Sequence, residues 1–146
     1  MGIKLNLGCG NLIKEGWVNI DNRPLPGVNL VRDLMHGLPY SDETVEEIYS
    51  ENFLEHIPSN ECVWFMNEMH RVLIPGGKMT HLVPLAGSEN FYQDFDHKSA
   101  WCSNTWTYFT KDHHRNLYYG GTHKPWLLDS YEVNCNKVQF VTMTKV

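Results

Sequence analysis

Short apolar runs that close on a glycine or an acid set the rhythm of the first fifty residues. IKLNLG (Ile3 to Gly8) reads as a first parallel strand, WVNID (Trp17 to Asp21) and VNLVRD (Val28 to Asp33) as the next two, and VEEIYS (Val45 to Ser50) as a fourth. Ser59 to Leu73 is the one convincing helix. Pro58 and Ser59 mark its start, Cys62, Phe65, Met66, Met69 and Leu73 form an apolar stripe, and Pro75-Gly76-Gly77 stops it. KMTHLVP (Lys78 to Pro84) predicts a fifth strand. From Gly87 to Lys124 the chain is aromatic and polar without clear period, with a helix expected around Ser103 to Thr110. Trp126 to Val146 closes the chain as an antiparallel hairpin turning at Asn134 to Asn136. The pattern predicts a single α/β domain over residues 1–146. Its sheet is mostly parallel, about seven strands wide, with the last strand antiparallel.

The links between the early strands are short. Six residues, NRPLPG, separate Asp21 from Val28, and two of them are prolines. A parallel crossover ordinarily takes about a dozen residues or more, usually as a helix. Cys9 to Glu15 leaves room for roughly one helical turn, against a usual length near 11–12 residues. Helices around the first three strands are therefore reduced, and one sheet face is thinly covered. That predicts exposed apolar surface, and with it a homodimer or a partner subunit over the thin face.

Composition narrows the class. At 146 residues the chain carries one core. A net charge of −5 and a pI near 5.9 disfavour a general nucleic-acid coat. No stretch approaches the roughly 18 consecutive apolar residues of a membrane span. No basic segment leads into an apolar one at the start, so a cytoplasmic location is expected. Cys9, Cys62, Cys102 and Cys135 lie at least 33 residues apart, and no two of the eight histidines form a His-x3-His pair. No metal site is expected.

In an open parallel sheet the strand carboxyl ends share one edge, where ligands bind. Read in order, those ends are Gly8-Cys9-Gly10, Asp21, Asp33-Leu34 and Ser50-Glu51. That set suits a nucleoside. Glycines let the backbone approach closely and offer N–H groups. An acid at the end of the second strand can accept both ribose hydroxyls, each charge-assisted bond worth about 1.5–3 kcal/mol. Asp33 can accept from an adenine amino group, with Leu34 or Met35 packing on the ring. A dinucleotide turn wants a third glycine and an acid about 20 residues further on. Here the third position is Ile13, and Asp21 follows Gly8 by 13 residues. The short loop favours S-adenosylmethionine, which carries no phosphate, over NAD.

LNLGCGN (Leu5 to Asn11), VNID, the run DLMHGLPYSDETVEEIYSENFLEHI (Asp33 to Ile57) and NEMHRVLIPGGKM (Asn67 to Met79) follow one another in order. Together they resemble the small type 11 group of class I S-adenosylmethionine-dependent methyltransferases. The resemblance covers Leu5 to Pro84, and QDFDHKSAWCSNTWTYF (Gln93 to Phe109) is similar to an Asp-Pro-x-His segment of some members, with Phe95 in place of the proline. It implies a Rossmann-like fold and S-adenosyl-L-methionine as cofactor, with ligand roles on Gly8, Cys9, Gly10, Asp21, Asp33, Leu34 and Ser50.

Methyl transfer draws roughly 7–11 kcal/mol from alignment, and a base is needed mainly when the acceptor carries a proton. His56, after the fourth strand, and His97, flanked by Asp94 and Asp96, are the candidates for that proton. His81 reads as a satisfied core residue. Phe91, Tyr92, Trp101, Trp106, Tyr108 and Phe109 offer a lid or acceptor wall where they are not core, and His113, His114, Arg115, His123 and Lys124 form a mildly basic patch. The Asp/Asn-Pro-Pro-Tyr/Phe run of amino-methylating DNA enzymes and the Pro-Cys nucleophile of cytosine enzymes are both missing, which leaves a small molecule, sugar or peptide as acceptor, with a small molecule favoured. The alternative expectation is a cofactor-binding module or subunit without transferase activity of its own.

Overall fold

In a computed structural model, residues 1–113 and 122–146 are described, and their strands join in one sheet. The strands are β1 (Ile3–Leu7), β2 (Val18–Asp21), β3 (Leu30–Val31), β4 (Val45–Glu51), β5 (Leu73–Pro84), β6 (Trp126–Val133) and β7 (Val138–Lys145). The sheet runs β3-β2-β1-β4-β5-β7-β6, and β7 runs opposite to the other six described strands. Among the described residues three α-helices accompany it: α1 (Cys62–Val72), α2 (Glu89–Tyr92) and α3 (Ser103–Thr107). The expected α/β, Rossmann-like, mostly parallel architecture is present.

Several boundaries differ from expectation. β3 shrinks to Leu30–Val31, because Asn29 turns its amide oxygen to the Asn19 backbone (2.8 Å) and Asp33 caps a 3-10 turn by accepting from the Met35 amide (2.9 Å). β5 begins at Leu73 rather than Lys78, so Pro75-Gly76-Gly77 lies inside a strand as a bulge against β4. A Cβ at Gly77 would stand 2.9 Å from the Ile74 carbonyl oxygen, so no larger residue fits there without movement. α3 stops at Thr107, and the hairpin turn is held by the Asn134 carboxamide, which accepts from the Asn136 and Val138 amides.

One face of the sheet is buried. Leu5, Leu7, Ile20, Ile48, Met79, Val141 and Met143 point toward α1, whose Phe65, Met66, Met69 and Val72 complete a single cluster with Trp106. The opposite face is thinly covered, as the short links require: residues 8–17 and 22–29 form turns in place of crossover helices. The apolar surface expected there is confined to the edges, where Val31, Leu127 and Phe140 are exposed, and the middle of the face is polar. Lys4, Glu47, Lys78 and Thr144 form one cross-strand row, and Asn19, Asn6, Tyr49, Thr80 and Thr142 form the next. These side chains satisfy one another, with Lys4–Glu47 at 3.0 Å, Asn6 donating to Asn19 at 2.8 Å and Thr80–Thr142 at 3.1 Å. A sheet with one wet face needs apolar residues only at alternate positions, and these strands alternate.

The Asn67–Met79 motif has a structural meaning. Arg71 forks onto both Glu68 carboxylate oxygens (2.7 and 2.9 Å) and reaches Asp42 (2.8 Å) and the Tyr40 and Leu38 carbonyls. Glu68 also accepts from the Leu38 amide (3.0 Å), so the pair ties the link after the Leu34–His36 turn to α1. Arg71→Ala is expected to lower stability by about 2 kcal/mol, roughly 4–8 °C in melting midpoint, after allowing for its partial exposure. Arg71→Lys recovers less than half of that, since an ammonium cannot make the fork. Thermal melts of the two variants check both figures.

Candidate active site

β1 runs out into Gly8-Cys9-Gly10, where both glycines sit at positive φ (+59° and +51°). A Cβ on Gly8 would also run into the Phe53 ring, so this turn demands glycine twice over. The Cys9 amide donates to the Ile20 carbonyl (2.9 Å), stapling the turn to β2. Burial and the neighbouring Asp21 carboxylate push the Cys9 thiol up, which keeps it from acting as a nucleophile. Asp21, at the end of β2, is itself buried. Its Oδ2 accepts from the Gly10 amide (2.8 Å), and its Oδ1 accepts from the Arg23 amide (3.0 Å) and Nε (3.1 Å). Burial works to raise the Asp21 carboxyl, but the Arg23 and Gly10 hydrogen bonds outweigh it and hold it below its ordinary range.

These groups face a cavity of about 580 Å³, within the usual range for small-ligand sites. Gly8, Asp21, Asp33 and Leu34 line it, with Asn22, Arg23, Arg32 and Met35 beside them and Asn52, Phe53 and His56 across from them. Cys9 and Gly10 brace the turn without forming the wall. Ser50 is placed elsewhere. Its hydroxyl is wholly buried and turned into the core, 2.6 Å from Nδ1 of His81, and Ser50 is not among the residues that line the cavity. The side chain before a strand end alternates away from the ligand edge, and here it finds a core partner instead.

His81 is fully buried and stacks on Trp106 at 6.2 Å, and burial takes its pKa down to about 3. The unfolded ring titrates near pH 6.5, so below that pH the unfolded chain binds a proton that the folded ring refuses. Stability is then fully present above about pH 6.5 and falls as pH drops, by about 2 kcal/mol at pH 5, with further loss toward pH 3. Urea melts between pH 7 and 5 are expected to show this slope, and His81→Phe to reduce it.

A second cavity, about 340 Å³, adjoins the first at Asn52 and His56 and includes Glu55, Asn90, Asp94 and His97. The chain brings its parts together by backbone bonds: the Lys98 and Ser99 amides both donate to the Glu55 carbonyl (2.7 and 3.1 Å), and Ser99 Oγ donates to the Leu54 carbonyl (3.0 Å). This seats His97 against His56, with ring centroids 5.0 Å apart. The two histidines singled out separately in the sequence therefore stand at one place, where the two cavities meet. Beneath them lies Glu55, wholly buried, its carboxyl pushed up by burial. Of the aromatic residues proposed as a lid, Trp101, Trp106 and Phe109 are core, while Tyr92 is exposed beside the second cavity's Asn90 and Gln93. Of the basic patch, His114 and Arg115 lie outside the described residues.

Sequence reading passed over Glu55, Asn52 and Arg23. Glu55 sat inside the quoted Leu-Glu-His run, and its signal was an acid enclosed by Leu54 and Ile57 at a strand's end. Asn52 takes a left-handed backbone (φ +53°), which asparagine tolerates better than most residues.

An open sheet of this strand order, with its cavity across the ends of β1 and β2 and the link after β3, defines a class I methyltransferase fold. Residues 5–80, more than half of the chain, match the family described as a methyltransferase domain, type 11. The chain belongs to that family, whose methyl donor is S-adenosylmethionine. Solved structures agree on the fold. An S-adenosylmethionine-dependent methyltransferase from Archaeoglobus fulgidus superposes with a TM-score of 0.72 at 15% identity, covering 99% of this chain and 86% of its own. A methyltransferase from Haloferax volcanii, solved in complex with the Trm112 methyltransferase activator, gives 0.68 at 10% identity over 98% and 82%. One from Methanosarcina mazei gives 0.67 at 14% over 98% and 92%. No curated protein sequence matches the chain significantly.

Proposed function

We propose that the protein transfers a methyl group from S-adenosylmethionine to a small-molecule acceptor. The observation that carries this reading is the buried Asp21 carboxylate at the wall of the 580 Å³ cavity, fixed over a glycine turn that no side chain can enter. These residues fit the cofactor. Gly8, Cys9 and Gly10 form the turn beside its amino-acid end, Asp21 takes the ribose hydroxyls, Asp33 accepts from the adenine amino group, and Leu34 packs on the ring. Arg23, whose side chain is 63% exposed, gives up its hold on Asp21 when the ribose arrives. Bound S-adenosylmethionine supplies an activated methyl group on a sulfonium. The protein's own share is alignment, with the acceptor seated in the adjoining 340 Å³ cavity and its proton leaving toward His56 and His97. The acidic chain disfavours nucleic acid as acceptor, and a cytoplasmic location accords with reduced thiols; no helix among the described residues is long and apolar enough to cross a membrane.

A second reading is a cofactor-binding subunit that needs a partner, covering the open sheet face, before it transfers anything. Two observations favour it: the missing helical layer, and the Haloferax neighbour's complex with an activator. Incubation with methyl-labelled S-adenosylmethionine and fractionated metabolites decides between them. Label in a low-mass fraction supports transfer to a small acceptor. Label only in protein or nucleic acid overturns that acceptor class, and label nowhere until a second protein is added supports the subunit.

A further inference from the structure

Where the two cavities meet, three potential ligand atoms converge. Glu55 Oε1 lies 3.9 Å from Nε2 of His56 and 3.9 Å from Nε2 of His97, and the three atoms fall within 4.8 Å of one another. The outer nitrogens of both rings are engaged. Nδ1 of His97 lies 2.6 Å from the Phe91 carbonyl oxygen, and Nδ1 of His56 lies 3.0 Å from Asp96 Oδ2 and 3.2 Å from the Asp96 carbonyl. Carbonyl and carboxylate oxygens only accept, so each Nδ1 carries a hydrogen and each Nε2 faces inward, that of His97 also 3.7 Å from Asp94 Oδ2. Neither oxygen of the fully buried Glu55 carboxylate has a hydrogen-bond partner among the described residues. A buried carboxyl without a hydrogen-bond partner is costly and calls for one.

We propose that Glu55, His56 and His97 bind a divalent transition-metal ion, with two imidazoles and a carboxylate suiting zinc or iron(II). The outer hydrogen bonds are those that orient ligating histidines, one to a carboxylate and one to a backbone carbonyl. Ligands about 2.0–2.2 Å from one ion stand roughly 3–3.6 Å apart, so the two 3.9 Å separations need to close by about half an ångström and the His56–His97 pair, within 4.8 Å, by up to about 1–2 Å. Three protein ligands leave the ion open toward the second cavity, where an oxygen or nitrogen donor of a small ligand would complete its shell. An ion there would do the work assigned above to a base, by holding the acceptor's donor atom deprotonated. The binding site itself rests on side-chain geometry and not on the methyl-transfer reading. Sequence spacing hides it, because Glu55-His56 and His97 are 41 residues apart.

Chelator-stripped protein, titrated with Co²⁺ and then Zn²⁺, tests the site without any cofactor. One Co²⁺ per chain is expected, with visible absorption that Zn²⁺ abolishes. Glu55→Gln and His97→Gln should each weaken uptake at least tenfold, and Asp96→Ala, which releases His56 Nδ1, roughly tenfold. Zinc should raise the melting midpoint of the unsubstituted protein but not of Glu55→Gln. Metal-free Glu55→Gln should melt no lower than the metal-free parent, because the unpaired charge is gone. No uptake at micromolar Co²⁺, or uptake unchanged in both ligand variants, overturns the site. S-adenosylmethionine titrations of the same variants report separately on the cofactor cavity, so failure of one reading is distinguishable from failure of the other.

Discussion

Asp21→Ala is expected to weaken S-adenosylmethionine binding by at least a hundredfold. Two charge-assisted bonds to the ribose, at about 1.5–3 kcal/mol each, amount to about 3 kcal/mol or more, and each 1.4 kcal/mol is a factor of ten. The same substitution frees the Gly10 amide, which Asp21 Oδ2 holds at 2.8 Å, so the turn loses its brace as well as its ligand. Asp21→Asn keeps one acceptor and the shape but loses the charge, and an intermediate affinity is expected. Arg23→Ala is the informative companion. It removes the group that occupies Asp21 Oδ1 at 3.1 Å, so binding should be retained or tightened. Calorimetric titration of the three variants reads all of this. Wild-type affinity in Asp21→Ala would remove the cofactor cavity from the place assigned to it.

The largest effect on stability is expected at Trp106. Its ring is fully buried, 4.6 Å from Trp101 and stacked on His81, and its Nε1 donates to Gln139 Oε1 (3.1 Å). Gln139 in turn donates to the Trp101 and Pro84 carbonyls (2.9 and 3.1 Å) and accepts from the Tyr131 hydroxyl (3.1 Å). One side chain thus joins β5, β6, β7 and α3. Trp106→Ala should cost about 3–5 kcal/mol, a large share of the 5–15 kcal/mol typical of a domain. That is roughly 10–15 °C in melting midpoint. Trp106→Phe keeps most of the packing and loses the N–H, and about 1–2 kcal/mol is expected. Denaturation in urea separates the two, and an alanine variant as stable as the parent would contradict this account of the core.

Much of the molecule was legible because local signals agreed. The apolar runs ending in Gly8, Asp21 and Ser50 gave real strands, and Pro58 and Pro75 bracketed the real helix. Gly8, Asp21, Asp33 and Leu34 line one cavity because chain order fixes which strand ends share an edge. Ser50 marks the limit of that rule: chain order gives the height of a residue along its strand, but not which side its hydroxyl takes when a core histidine competes for it. The polar middle of the open face was written in the strands, while its exposed apolar residues lie at the edges. Ile-Lys-Leu-Asn-Leu in β1 and Lys-Met-Thr-His-Leu in β5 alternate, whereas a parallel sheet covered on both sides reads as continuous apolar sequence. Glu55 was out of reach on other grounds. Its environment comes from residues 94–99 folding over residues 54–57, a contact that no local pattern encodes.

The alternation of these strands also protects the cavity from mispairing. In a sheet that is apolar on both sides, a strand displaced by one residue exchanges one greasy face for another. Here the same slip would drive Lys4, Asn6 and Lys78 into the core and expel Leu5, Leu7 and Met79. The wet side of the sheet therefore acts as a ratchet. It fixes the height at which Gly8 and Asp21 leave their strands, and so the spacing between these two groups of the cavity wall.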